Sequence, residues 1–291
     1  MLEGVIFRGR GGFYDVRVGQ ERYRCTLRGR LRYQDQDILV GDQVRVRVLR
    51  TGEGVIEEVL PRKSKLIRPA VANVDQAVVV VGLAEPSPDL ALLDRLLVMA
   101  EAEGLKKVIC LNKADLVTEA EADLLRRMYV AAGYRTLVTS AKSRRGIEDL
   151  RQLLAGQVNV FAGPSGAGKS SLLNALQPGL RLKTEEVSTK IGRGRHTTRH
   201  VELLDLDGGG MVADTPGFSQ LRLPDIPREN LGCFFPEMDA YQGRCRFTSC
   251  LHSREPDCAV RAAVSRREIA RSRYDHYLEF LEELTTRERS F

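Results

Sequence analysis

Apolar and polar residues alternate one by one through the first 66 residues, in GFYDVRV, ERYRCTLR, DQVRVRVLR and GVIEEVLPR. A period of two in segments rich in Val, Ile and Tyr, separated by Gly-containing turns, predicts half-buried strands. Four or five such strands in so short a segment suit a small closed barrel. The OB-fold is the barrel that commonly presents a nucleic-acid-binding face. PRKSKLIRPAVANVD, with two prolines and a basic cluster, reads as a linker, and beyond it the period changes. The apolar runs AVVVVGLA, KKVICLN, YRTLV and QVNVFAG alternate with the helical patterns LALLDRLLVMAEAEG, EAEADLLRRMYVAAG, IEDLRQLLAG and SSLLNALQ. Continuous apolar strands between helices predict a mainly parallel α/β sheet covered on both faces. After residue 222 the strand pattern stops, and RREIARSRYDHYLEFLEELTTR predicts a closing helix. The chain thus divides into residues 1–66, 67–222 and 223–291.

Composition refines this picture in two places. The longest apolar run falls far short of the ~20 residues a membrane helix needs. The N-terminus lacks a signal-peptide core and cleavage pattern. The expectation is a soluble, cytoplasmic monomer. The net charge of +6 resides wholly in residues 1–68, which carry 15 Lys/Arg against 9 Asp/Glu, while the remainder balances. A basic excess confined to one end suits a module that faces a polyanion. Phe7, Phe13, Tyr14, Tyr23 and Tyr33 interleave with its arginines, some to stack on bases and most to fill the barrel.

Candidate chemistry begins at GPSGAGKSS, which comprises Gly163, Pro164, Ser165, Gly166, Ala167, Gly168, Lys169, Ser170 and Ser171. Its glycines let the backbone N–H groups turn toward phosphate oxygens, and the loop follows a predicted strand and opens a predicted helix. Lys169 would neutralise β/γ-phosphate charge, and the Ser170 hydroxyl would ligate Mg2+. About fifty residues earlier stands NKAD, with Asn112, Lys113 and Asp115. An aspartate accepts both N–H bonds from the guanine N1 and N2 edge and would go unpaired against adenine. Asn112 would hold the loop together, and Lys113 would pack along the ring. TSAK (Thr139, Ser140, Ala141, Lys142) would meet the guanine oxygen. DTPG places Asp214 to hold Mg2+ through water and the Gly217 N–H at the γ-phosphate. Between phosphate loop and DTPG, KIGRGRHTTRH suits a switch loop. Thr198 is the preferred Mg2+ ligand there, with Thr197 the alternative, and His196 the group to orient the attacking water. Phe218 stands where Ras-like enzymes carry a water-orienting Gln.

Cys245, Cys250, His252 and Cys258, spaced C-x4-C-x-H-x5-C, supply the four ligands of one closed structural zinc site, although the spacing alone leaves iron open. Cys233 lies twelve residues upstream and is not expected to join them. Cys25 and Cys110, within strand-like runs, read as buried apolar residues.

The motif order NKAD, TSAK, GPSGAGKS, HTTR, DTPG resembles that of a circularly permuted GTPase. With the basic barrel in front, the cysteine knuckle behind, and RPAVANVDQ, GRGRHTT and DTPGF between, the chain resembles the RsgA family, also called YjeQ or YloQ, along essentially its whole length. The resemblance implies an OB-fold, a permuted P-loop GTPase domain and a small zinc-binding helical domain. It also implies low intrinsic GTP hydrolysis raised by the small ribosomal subunit and its rRNA, a role in late small-subunit maturation, and a catalytic histidine at His196. The chain departs from the family pattern at Arg199, where a third threonine is frequent, and at Pro164, which has no N–H for phosphate. Two other readings compete: a permuted GTPase of large-subunit assembly, and a nucleotide-regulated RNA-binding protein whose hydrolysis is incidental. The permutation also leads DTPGFSQLRLP straight toward the cysteine cluster, which would tie that segment to nucleotide state.

Overall fold

The computed structural model describes residues 1–32, 37–66, 69–178, 201–214 and 222–289. In chain order, β1 (Leu2–Arg10), β2 (Phe13–Val18), β3 (Glu21–Leu27), the helical turn α1 (Gly29–Arg32), β4 (Gln43–Arg50) and β5 (Glu53–Val59) come first. The short β6 (Lys65–Leu66) and β7 (Val71–Ala72) lead to β8 (Gln76–Gly82), α2 (Leu90–Ala102), β9 (Lys106–Asn112), α3 (Glu119–Ala131) and β10 (Arg135–Val138). Next come α4 (Ile147–Leu154), β11 (Val158–Ala162), α5 (Lys169–Leu176), β12 (Glu202–Asp205) and β13 (Met211–Asp214). Two 3-10 turns, Arg228–Phe234 and Pro236–Tyr241, precede α6 (Ala259–Ser265) and α7 (Arg271–Glu288). The described residues fall into two compact units. One is drawn from Met1–Val78, Ile147–Ala162 and Lys169–Gln220, the other from Val79–Gly146, Gly163–Gly168 and Leu221–Phe291.

In the first unit the alternating strands close a barrel. β1 pairs antiparallel with β2, β2 with β3, and β4 with β5, while β3 and β5 run parallel and β4 returns to β1. Five strands in this order, with α1 between β3 and β4, form the expected OB-fold. Their inward positions Ile6, Val16, Cys25, Val44, Val46 and Ile56 are fully buried. β1 has no clean alternation in its sequence. Gly4 and Gly9 interrupt its pattern, and its register with β2 shifts between Ile6 and Arg8. The linker is stitched down by its polar residues. Asn73 accepts from the Lys63 N–H and donates to the Gly41 carbonyl, and Asp75 accepts from the Val158 N–H. Gln76 donates to Asn159, whose own amide donates to the carbonyls of Leu154, Gln157 and Met211. β11 and β13 are parallel, β12 lies antiparallel to β13, and β12 in turn pairs with barrel strand β1.

In the second unit β9 and β10 are parallel. Asp89 caps α2 by accepting the Leu92 N–H, and Thr118 with Glu121 closes a capping box on α3, each cap contributing ~1 kcal/mol. The C-terminal segment packs Leu231, Phe235, Met238, Tyr274, Tyr277, Phe280 and Leu284 into one core that includes Val98 of α2. Among the described residues it contains no strand, as expected. Its closing helix starts later than the apolar pattern implies. Arg267 takes a left-handed φ of 63° after α6, Ile269 turns into the core, and α7 begins only at Arg271. Among the described residues no helix is long and apolar enough to cross a membrane.

Candidate functional site

Asn112, the last residue of β9, is almost fully buried, and its amide joins three separated motifs. Nδ2 donates to the Ala167 carbonyl in the phosphate loop at 3.0 Å. Oδ1 accepts from the Ala141 N–H at 3.3 Å and from the Thr139 hydroxyl at 3.4 Å. NKAD, TSAK and GPSGAGKS therefore meet on one side chain. Lys113 adopts a left-handed φ of 65° and donates from Nζ to the Glu85 carbonyl at 2.5 Å. Asp115 is exposed, and Oδ1 accepts from the Ser140 hydroxyl at 2.6 Å. That hydrogen bond chiefly lowers the pKa of Asp115, with Lys142 and Lys113 adding to it, so the group stands as an anionic acceptor at neutral pH. Ser140 also accepts from the Ser143 N–H, and its own N–H donates to the Arg145 carbonyl. A carboxylate oriented in this way can accept two N–H groups from one edge of a base.

The phosphate loop turns on glycines that nothing else can replace. Gly163 and Gly168 have φ of +138° and +92°. A Cβ on Gly163 would strike the Val80 carbonyl, and one on Gly168 would strike the Asn112 amide. The Ala167 N–H donates back to the Pro164 carbonyl, while Ser165 and Gly166 are exposed at the tip. Gly168 leads directly into α5, whose first residues are Lys169, Ser170 and Ser171. Burial lowers the pKa of Lys169, because desolvation disfavours the charged ammonium. Asp214 ends β13 with its backbone opposite Glu202. His196, Thr197, Thr198, Gly217 and Phe218 lie outside the described residues.

Cys245, Cys250, His252 and Cys258 converge, their ligand atoms all within 4.8 Å of one another. The Cys245 and Cys258 sulfurs stand 3.9 Å apart, and His252 Nδ1 is 3.5 and 3.4 Å from them. A tetrahedral ion with bonds of about 2.3 Å to sulfur and 2.0–2.1 Å to nitrogen requires sulfurs about 3.8 Å apart and about 3.5 Å from the nitrogen. The donor set fits a zinc site. Its loops are held from outside. Tyr274 and Tyr277 donate to the His252 and Leu251 carbonyls, and Glu255 accepts the N–H groups of Leu251, Ser253 and Arg254. Backbone N–H groups of Ala259 and Arg261 point at the sulfurs of Cys245 and Cys258. Cys233 is exposed and outside the cluster, while Cys25 and Cys110 are buried in their strands.

Some supporting residues escape a motif search. Arg273 of α7 is almost wholly buried, donating to Asp94 of α2 at 2.6 Å and to Glu237 at 2.7 Å. Asp94 also accepts from Tyr129, and His276 Nδ1 lies 2.6 Å from it. The available signal was an arginine at a core position of an otherwise apolar helix face.

Residues 59–224 match the family model described as RsgA GTPase, and residues 3–56 match the RsgA N-terminal domain. The Moorella thermoacetica protein named small ribosomal subunit biogenesis GTPase RsgA is 54% identical over 290 residues, covering 100% of both chains. The crystal structure of YjeQ from Thermotoga maritima superposes with a TM-score of 0.86 at 41% identity, covering 98% of each chain. YloQ, described as a circularly permuted GTPase, gives 0.85 at 40% identity, over 99% of this chain and 96% of that one. A chain that follows such proteins from end to end, with NKAD and TSAK written before GPSGAGKS, belongs to the RsgA GTPase family and hydrolyses GTP.

Proposed function

We propose that the protein binds the small ribosomal subunit and its rRNA, and that the subunit accelerates hydrolysis of GTP to GDP and phosphate late in subunit maturation. The observation that carries the nucleotide half of this reading is the junction at Asn112, where base-reading motifs and phosphate loop share one buried amide. The ribosomal half rests on the names of relatives that match the entire chain and on the arginine-rich barrel. Asp115 reads guanine, with Lys113 along the ring and the Ser140–Ala141–Lys142 backbone at its oxygen. The N–H groups of Gly163 to Ser171 cradle the phosphates, except for Pro164, which has none, and Ala167, whose N–H bonds the Pro164 carbonyl. Lys169 neutralises their charge, and Gly217 senses the γ-phosphate. Mg2+ with GTP supplies charge neutralisation, held by Ser170, Thr198 and, through water, Asp214. His196 orients the attacking water, the position that Phe218 leaves to another group.

The three-part division at 1–66, 67–222 and 223–291 assigns RNA binding, nucleotide chemistry and a zinc-stapled segment in turn. One structural zinc held by Cys245, Cys250, His252 and Cys258 leaves no open coordination position. The protein acts as a cytoplasmic monomer. GTP turnover measured with and without purified small subunits, at several fixed salt concentrations because phosphate contacts release counterions, tests the reading. Acceleration by small but not large subunits is expected. Turnover indifferent to saturating small subunits would leave a nucleotide-regulated RNA binder instead.

A further inference from the structure

Barrel strand β1 does more than close the barrel. It pairs with β12 at Arg8 and Glu202, and Glu202 is in turn the register partner of Asp214 across β13. Arg8, Glu202 and Asp214 therefore stand in one row across three strands, from the barrel to the residue proposed to serve Mg2+. Charged side chains reinforce the row. Arg17 of β2 is ion-paired with Asp205 of β12, and Arg22 of β3 reaches the same carboxylate at 3.5 Å. Arg17 also contacts the Met211 sulfur of β13 at 3.2 Å, and Arg8 lies 3.9 Å from Glu202. Two carboxylates of the β12–β13 hairpin thus face three arginines of the barrel, all within one compact unit. In sequence, this hairpin joins the segments that carry His196 and Thr198 on one side and Gly217 on the other.

We infer that the Arg17–Asp205 and Arg8–Glu202 contacts are a brake on hydrolysis, released when RNA phosphate takes the arginines. Arg22 is two-thirds exposed and lies over the Phe7 ring at 5.0 Å, so it faces solvent beside an aromatic surface. Exposed ion pairs are weak and exchange partners readily, whereas a line of RNA phosphates presents several competing anions at once. Loss of the arginines from Asp205 leaves the hairpin held to the barrel by the β1–β12 backbone pairing alone, and the strand that ends in Asp214 shifts. Glu202 and Asp205 are positioning residues on this account, since they act through the barrel arginines that they pair with.

The inference rests on the proposed stimulation by small subunits, and one experiment separates the two. Asp205→Asn and the double variant Asp205→Asn/Glu202→Gln keep all three barrel arginines for RNA. Steady-state GTP turnover is measured for each with and without purified small subunits. The expected result is a rise of about three- to fivefold in kcat without subunits, an unchanged KM for GTP, and a stimulation ratio reduced by the same factor. Asp205→Glu should restore the native ratio, and far-ultraviolet circular dichroism reports whether the variants fold. A folded Asp205→Asn protein with native kcat and native ratio, or with lowered kcat, overturns the brake. Wild-type protein that subunits fail to accelerate overturns the proposed function itself.

Discussion

On the proposed reading, Asp115 alone decides base specificity. Its carboxylate is a pure acceptor, and the guanine edge offers it N1–H and the exocyclic amine. Asp115→Asn replaces one acceptor oxygen by a donor, so one of the two contacts becomes donor against donor. GTP affinity should fall about 100-fold, while xanthosine triphosphate, with a carbonyl oxygen at C2, should bind better than GTP. Fluorescent-nucleotide titration checks both, and equal losses for the two nucleotides would show that Asp115 does not face the base edge. A reading of this kind can be made from sequence because its chemistry is local to a tetrapeptide. Asn112 was legible only as a motif member. That its amide reaches the Ala167 carbonyl depends on the course of the chain between them, which no spacing of polar residues encodes. Arg17 and Asp205 were illegible for the same reason: each reads as an ordinary exposed charge until β1 and β12 are adjacent.

Helices and strands were readable where their period is clean, as in α2 and α3, whose N-caps Asp89 and Thr118 directly precede the pattern. α7 was overextended because Arg266, Arg267 and Glu268 continue a helix-compatible composition, and only the left-handed Arg267 reveals the break. The same helix carries Arg273, which ties it to α2 and to the turn at Glu237. Burial works against the charge of Arg273, but Asp94 and Glu237 outweigh it and hold the guanidinium charged throughout. Arg273→Met should lower the unfolding free energy of this unit by about 3–5 kcal/mol by stranding two buried carboxylates, measured by urea titration with hydrogen exchange to locate the loss. His276 extends the argument to pH. Its hydrogen bond to Asp94 raises its pKa, Asp94 and Glu279 adding attraction while burial and Arg273 oppose it. A raised pKa in the fold means stability fully present below the unfolded value, about 6.5, and lost as pH rises through the folded one. The urea midpoint should therefore fall between pH 6 and pH 9, and His276→Gln should remove that slope.

At the scale of the molecule, NKAD, TSAK and the cysteine cluster lie in one unit, where Arg273 bonds α7 to α2 and Val98 shares the C-terminal core. Closure of the barrel, the α/β alternation and the metal cluster were all evident from period and spacing, because each is a local pattern. The division of the chain into these two units was not, because it follows contacts between distant segments. The distribution of sulfur across the fold has a practical consequence. Burial pushes Cys25 up to about 11 and Cys110 up to about 12, and both lie inside strands where a reagent cannot follow. With a metal on the cluster, only Cys233 is left open to a maleimide; stripping the metal should loosen the loop it staples and free the three ligand sulfurs, the buried Cys258 included, and denaturation the last two. A stepwise thiol titration of one, four and six would count the metal site by its absence. A dye on Cys233 would then report the C-terminal segment in the native protein without any engineered cysteine.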